Sequence, residues 1–173
     1  MLSNEIEKKL NEQVNAEFDA AYLYLSMSAW LDKQGLSGFA NWFKMQAQEE
    51  TTHAMKIYDY ISERGGEISL LPIGKPKDNW KGCLDVVEDA YNHEKKVTAM
   101  INDIVALAEL NKDYATRVFF DWFVTEQVEE EDSADEIVQK LESSSLELVD
   151  KVKFVGEHKG YLLSLDKELL VRQ

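Results

Sequence analysis

A chain of 173 residues can bury roughly 70% of the surface its unfolded form exposes, so it can fold as one domain, 1–173, without disulfides or a structural metal. Its one cysteine, Cys83, excludes an intrachain disulfide framework and any cysteine-rich zinc or iron–sulfur site, and favours a reducing compartment. The formal net charge of −14 argues against nucleic acid and anionic membranes as partners and leaves cations as the better match.

The opening Met1-Leu2-Ser3-Asn4-Glu5 lacks the basic and apolar regions of a secretion signal. The most apolar stretch, Ala20 to Leu31, is broken by serines and too short to span a bilayer, so a cytoplasmic protein with no membrane partner is expected. A first helix is predicted over about 4–33, with a seam of Leu10, Val14, Glu17, Ala21 and Tyr24 at spacings of three and four. Asp32-Lys33-Gln34-Gly35 ends it. A second, over about 36–64, carries Phe39, Phe43, Gln46, Glu50, His53 and Ile57. Both prolines, Pro72 and Pro76, then fall with Gly65, Gly66, Gly74 and Gly82 in a single long loop. A third helix, about 83–110, has the seam Leu84, Val87, Tyr91, Glu94, Thr98 and Ile101. After a break at Asn111-Lys112-Asp113, a fourth, about 113–145, carries Phe120, Phe123, Gln127, Glu130, Ala134, Ile137 and Leu141. Apolar character returns beyond Ser143-Ser144-Ser145 through Phe154, Leu162, Leu165 and Leu169, consistent with a short C-terminal helix over about 154–171.

Every one of the four long seams carries at least one ionisable residue. A single buried carboxylate reads most simply as a satisfied core group. Four helices sharing the feature is different, because each unpaired buried charge costs several kcal/mol unless something positive neutralises it. No lysine or arginine lies on the seams. A bound cation is the remaining candidate, and carboxylate and imidazole ligands without thiolate suit iron, manganese or zinc.

Chain geometry puts these groups at one level. In an antiparallel hairpin, residues equidistant from the turn face each other; the midpoint of Glu17 and Glu50 falls in the first turn, and that of Glu94 and Gln127 beside the second. Adding 77 to Glu17, Glu50 and His53 gives Glu94, Gln127 and Glu130, which implies pseudo-twofold symmetry between the halves. The loop between them, about 18 residues, exceeds the 2–8 usual in bundles and fits one long crossover between the second and third helices. The expected fold is all-α, a four-helix bundle occupying about 4–145 with a short fifth helix.

Several motifs together resemble the non-haem ferritins of archaea and bacteria: Asn15-Ala16-Glu17, Ala21-Tyr22-Leu23-Tyr24-Leu25-Ser26-Met27, Gln48 to Ala54, His93-Glu94, Trp122, and Glu126 to Glu131. The resemblance runs from residue 1 to about 141 and resumes at Lys151. It implies a ferritin-like bundle and an iron-storage shell of 24 subunits that oxidises Fe(II) with O₂ or H₂O₂ and holds a ferric oxyhydroxide mineral. By position, Glu17, Glu50 and His53 would hold a first iron, with Glu50 bridging to a second held by Glu94 and Glu130. Gln127 would sit beside the oxygen-binding side. Glu49, Glu126 and Glu129, sharing Glu130, match a third iron site, and Tyr24 matches the family's redox tyrosine. Hard carboxylates favour Fe(III) over Fe(II), so oxidation is promoted where these ligands gather. Two adjacent irons supply the two electrons that take O₂ past superoxide.

Plainer readings stand beside some of these. Glu129 to Asp132 is a common pattern for a solvated helix face, and Tyr24 suits a core tyrosine equally well. His93 points about 100° away from Glu94 around its helix and is expected to be exposed. His158 and Cys83 are read as incidental. Where bacterioferritins place a second Glu-x-x-His and a haem-ligating methionine, this chain has Gln127, Glu130 and Thr51, so haem is not expected. Arg117 and Phe120 stand where animal ferritins carry the acidic pair of their threefold pores. The stretch of about 142–150 reads as an insertion near the end of the fourth helix.

Overall fold

The structure, a computed structural model, describes residues 2–146 and 155–171, with side chains placed for 2–143 and 162–170. Five helices follow in chain order: α1 (Asn4–Lys33), α2 (Ser37–Glu63), α3 (Cys83–Leu110), α4 (Tyr114–Leu146) and α5 (Val155–Val171). All lie within a few residues of the predicted spans. Among the described residues there is no strand, and no helix is long and apolar enough to cross a membrane.

Local chemistry sets the helix ends. Ser3 caps α1 by accepting a hydrogen bond from the Ile6 N–H, and Glu5 and Glu7 sit in the first turn, where the helix dipole favours negative charge. Beyond Lys33 the chain turns through Gly35 at φ 79°, a left-handed conformation that glycine adopts without a Cβ penalty. Asp113 opens α4, accepting from both the backbone N–H and the hydroxyl of Thr116, and Arg64 at the end of α2 reaches across to the same carboxylate at 3.0 Å. This ties the exit of one hairpin to the turn of the other.

The segment between α2 and α3 is a crossover that tracks α1. The Glu67 N–H donates to Glu7, Asn11 bonds Glu67 and Ser69, Ser26 donates to the Lys77 carbonyl, and Trp80 packs edge-on against Trp30. Loop and helix advance together over roughly 35 Å, at 1.5 Å per helical residue. As a result α3 starts beside the end of α1 and runs back along it, parallel to α2.

Apolar side chains form two separate clusters. One gathers Met27, Leu31, Phe39, Phe43, Trp80, Val86, Val87, Ile137, Leu141, Leu165 and Leu169 towards the α1–α2 turn. The other gathers Ile6, Leu10, Val14, Ile57, Ile61, Val97, Ile101, Phe120 and Phe123 towards the α3–α4 turn. Every predicted seam residue of α1, α2 and α4 is buried. On α3 the expectation needs correction: Leu84, Tyr91 and Thr98 are half-buried, and the buried face is Cys83, Val86, Val87, Ala90, Glu94, Val97 and Ile101. α3 meets α1 as well as α4, and the added contact turns its buried stripe. Cys83 is therefore a core residue, whose thiol burial, aided by the Asp166 charge, raises to about 12.

α5 docks by a polar device. No side chain of α2's own N-cap, Leu36, bonds its first turn, and Asp166 of α5 accepts from the Phe39 N–H instead, at 2.9 Å. The approach requires glycine at 38, because a Cβ there would overlap the Asp166 carbonyl. Part of the insertion expected over about 142–150 lies outside the described residues, as does the side chain of His158. Gly38→Ala should push α5 off α2: hydrogen exchange over residues 162–170 should quicken and the melting temperature should drop, while exchange in the α3–α4 turn stays unchanged.

Candidate metal centre

Between the two apolar clusters lies a single layer of polar side chains, about two helical turns deep along α2. α1 contributes Gln13 and Glu17, α2 contributes Gln46, Glu50 and His53, α3 contributes Glu94, and α4 contributes Gln127 and Glu130. All are buried, Glu17 to 1% exposure and Glu50 to 2%. Both hairpins place their groups at one height, as the equidistance from each turn predicts.

Among the described residues, Glu17, Glu50 and His53 are the one group whose possible ligand atoms all lie within 4.8 Å of one another. His53 Nδ1 is 3.4 Å from Glu50 Oε2. The imidazole is held edge-on by Trp122 and Phe123 of α4, at ring distances of 5.3 and 6.1 Å. Glu17 Oε1 accepts from Gln13 Nε2 at 2.9 Å, whereas Glu17 Oε2 is buried with no hydrogen-bond partner. A buried carboxylate with one orphaned oxygen, beside a second carboxylate and an imidazole, fits a cation, since a buried acceptor of this kind is otherwise costly.

Glu94 and Glu130 complete the layer from the other hairpin, each held by its own partners. Tyr24 donates to Glu94 Oε1, and Gln127 Nε2 donates to Glu94 Oε2 at 3.0 Å. Gln46 Nε2 donates to Glu130 Oε2 at 2.7 Å. Tyr24 is thus a core residue, 5.8 Å from the Phe43 ring, whose hydroxyl touches a candidate ligand. Glu49 is exposed and Glu126 half-buried, and both charges act on Glu50 and Glu130. Glu129 is exposed on the wall of a cleft between α3 and α4. The three do not draw together with Glu130 into a cluster as tight as that of Glu17, Glu50 and His53.

Two residues of the layer were not singled out as functional from the sequence. Gln13 and Gln46 each orient a candidate ligand carboxylate. Each sits one helical turn before a candidate ligand, Glu17 or Glu50, so a polar residue at i−4 on the seam is the signal that could have found them. His93 departs from expectation: it is half-buried, its Nε2 is enclosed without a partner, and its ring meets Tyr24 edge-on at 6.0 Å. The face of α3 next to Glu94 packs on α1, which the helical wheel of α3 alone does not reveal. Burial, with the nearby Lys96, lowers its pKa against the opposing pull of Asp89.

Among the described residues no lysine or arginine forms an ion pair with Glu17, Glu50, Glu94 or Glu130, and the electrostatics follow from that. Burial foremost, with the Glu50 charge, holds the Glu17 carboxyl well above the usual range. Burial also lifts Glu50 to about 8, and the charges of Glu130, Glu49 and Glu126 add to the rise. Glu130 is lifted to about 8 by burial and then by Glu94, and Glu94 reaches about 7 by burial against the lowering effect of Gln127. Four carboxyls that resist ionising in the empty protein would release their protons to an arriving cation.

The Ferritin-like domain family matches residues 7–144, which hold every member of this layer. The chain belongs to the ferritin family. It is 40% identical over 167 residues to the bacterial non-heme ferritin of Campylobacter jejuni, covering 96% of this chain and 93% of that one. With the bacterial non-heme ferritin of Staphylococcus epidermidis it shares 39% identity over 173 residues, 99% of this chain and 97% of the relative. Its fold superposes on the open pore ferritin of Archaeoglobus fulgidus with a TM-score of 0.91 at 46% identity, over 100% of both chains. The ferritin fold is thereby shared along the whole matched length, including the crossover and α5.

The raised carboxyls set a pH dependence. A folded-state pKa above the unfolded value near 4.5 stabilises the protein below that value, and the contribution is lost as pH rises through about 8. Between those limits each such group costs about 1.4 kcal/mol per pH unit. The metal-free protein should therefore melt progressively lower from pH 5 to pH 8, and Glu50→Gln, which cannot ionise, should flatten that slope. Equal slopes for the two proteins in calorimetric scans would show that Glu50 is not so perturbed.

Proposed function

We propose that this ferritin-family chain is an iron-storage subunit with ferroxidase activity, acting in the cytoplasm as a shell of 24 copies. The observation that carries the reading is the buried convergence of Glu17, Glu50 and His53, with one Glu17 oxygen lacking a hydrogen-bond partner, in a layer where no described lysine or arginine compensates the charge. Fe(II) is the substrate. Glu17, Glu50 and His53 bind the first ion, Glu50 bridges, and Glu94 and Glu130 take the second, with iron replacing the protons these carboxyls hold. Gln127 steadies Glu94 from the oxygen-binding side.

The reaction is balanced as two Fe(II) giving one electron each to O₂, which takes up two protons to leave as H₂O₂, while two Fe(III) remain for the mineral; H₂O₂ can serve as oxidant in turn. The hydrogen bond from Tyr24 to Glu94 supports a redox role for Tyr24 beside the second ion. Glu49, Glu126 and Glu129, with Glu130, form an acidic way station for a third iron, and the exposure of Glu49 and Glu129 suits ions in transit rather than tight binding. Arg117 is engaged by Asp121 and Glu109, so the threefold passage of animal ferritins is not reproduced at that position.

The test is anaerobic loading with Fe(II) in large excess per subunit, then air, with iron and protein followed together by size-exclusion chromatography. Iron should co-elute with a particle of several hundred kilodaltons, and Glu50→Ala should slow oxidation at least tenfold, as expected when a group that binds substrate directly is removed. About two irons per chain retained on a small oligomer would instead identify a di-iron oxidase that stores no mineral.

A further inference from the structure

Gln127 is an amide, and an amide can face its neighbours either way round, donating through its nitrogen or accepting through its oxygen. In the structure Nε2 faces three acceptors: Glu94 Oε2 at 3.0 Å, the Glu94 carbonyl at 3.4 Å and Thr98 Oγ1 at 3.2 Å. Thr98 lies one turn beyond Glu94 on α3, and its hydroxyl donates to Glu131 Oε1 at 2.5 Å. Glu131 stands on α4 one turn beyond Gln127. Thr98, Gln127 and Glu131 share the wall of a cleft of about 680 Å³ between α3 and α4.

From this chain of bonds we infer that Thr98 and Glu131 are positioning residues that fix the orientation of the Gln127 amide and, through it, the carboxylate of Glu94. Each link constrains the next. A carboxylate oxygen only accepts, so Glu131 takes the one proton of the Thr98 hydroxyl. Towards Gln127 the hydroxyl then offers lone pairs alone. The reversed amide would set its carbonyl against that oxygen and against Glu94, two acceptor–acceptor contacts in a buried site. The observed orientation makes both contacts favourable. Glu94 is thereby gripped on both oxygens, Oε1 by Tyr24 and Oε2 by Gln127.

The inference rests on the ferroxidase reading, because holding Glu94 in place matters to activity only if Glu94 binds iron. It departs from that reading in assigning work to two residues that touch neither ion. Its test is stopped-flow oxidation of Fe(II), at two ions per subunit, by the assembled protein. Thr98→Val keeps the shape of the side chain and removes the acceptor; it should slow oxidation about fivefold, the equivalent of one hydrogen bond, with the melting temperature unchanged. Thr98→Ser, which restores the hydroxyl, should recover the rate. Glu131→Ala should slow the reaction in the same sense, and the double variant should be no slower than Thr98→Val alone, since both act through one amide. Wild-type rate in Thr98→Val, failure of serine to rescue it, or full additivity of the two variants would overturn the inference while leaving the ferroxidase reading standing. Wild-type protein that oxidises Fe(II) no faster than buffer would overturn that reading and this inference with it.

Discussion

A layer of carboxylates sealed between two apolar plugs is the constraint on which the rest of this structure depends. Glu17, Glu50, Glu94 and Glu130 are almost wholly removed from water, and among the described residues no lysine or arginine pairs with them. Burying such groups is tolerable only if they stay protonated or meet a cation, and the upward shift of all four carboxyls is the first of these outcomes. The apolar clusters above and below supply the stability that offsets this layer.

The amides mediate. Gln13, Gln46 and Gln127 each donate to one carboxylate, Glu17, Glu130 and Glu94 respectively. A neutral donor fixes a carboxylate in space without neutralising it, so the attraction for a cation survives. A lysine in the same place would have satisfied the charge and abolished the site. Tyr24 does comparable work for Glu94 and brings a group that can give up an electron as well as a proton.

Connectivity serves the same end. Because the crossover carries the chain back along α1, α3 lies antiparallel to α1 and the second hairpin repeats the first with its ligands at the same level. The repeat is imperfect in a useful way: Glu50 and His53 of the first half correspond to Gln127 and Glu130 of the second. One half therefore offers an imidazole and two close carboxylates, while the other offers carboxylates restrained by Gln127, Gln46 and Tyr24. At the far end, α5 completes α2 by lending Asp166 as its missing cap over Gly38.

Helix periodicity, punctuation by Pro72, Pro76 and the loop glycines, and equal distance from each turn are local properties, so the five helices and the level of Glu17, Glu50, Glu94 and Gln127 were readable from the sequence alone. The identity of the ionisable residues in the buried layer was readable for the same reason, since a charge on an apolar seam contradicts its surroundings, whereas buried Asp166 of α5 was not singled out. What depends on a third helix was not. The rotation of α3 that buries Ala90 and Val97 and half-buries Leu84 and Tyr91 is set by α1, as is the enclosure of His93 against Tyr24. The pairing of Gln46 with Glu130 and of Thr98 with Glu131 joins residues on different helices, and which oxygen of Glu17 is left without a partner depends on the packing of all its neighbours. A one-dimensional pattern records which face of a helix is apolar; only the packed bundle decides which side chain from another helix meets it.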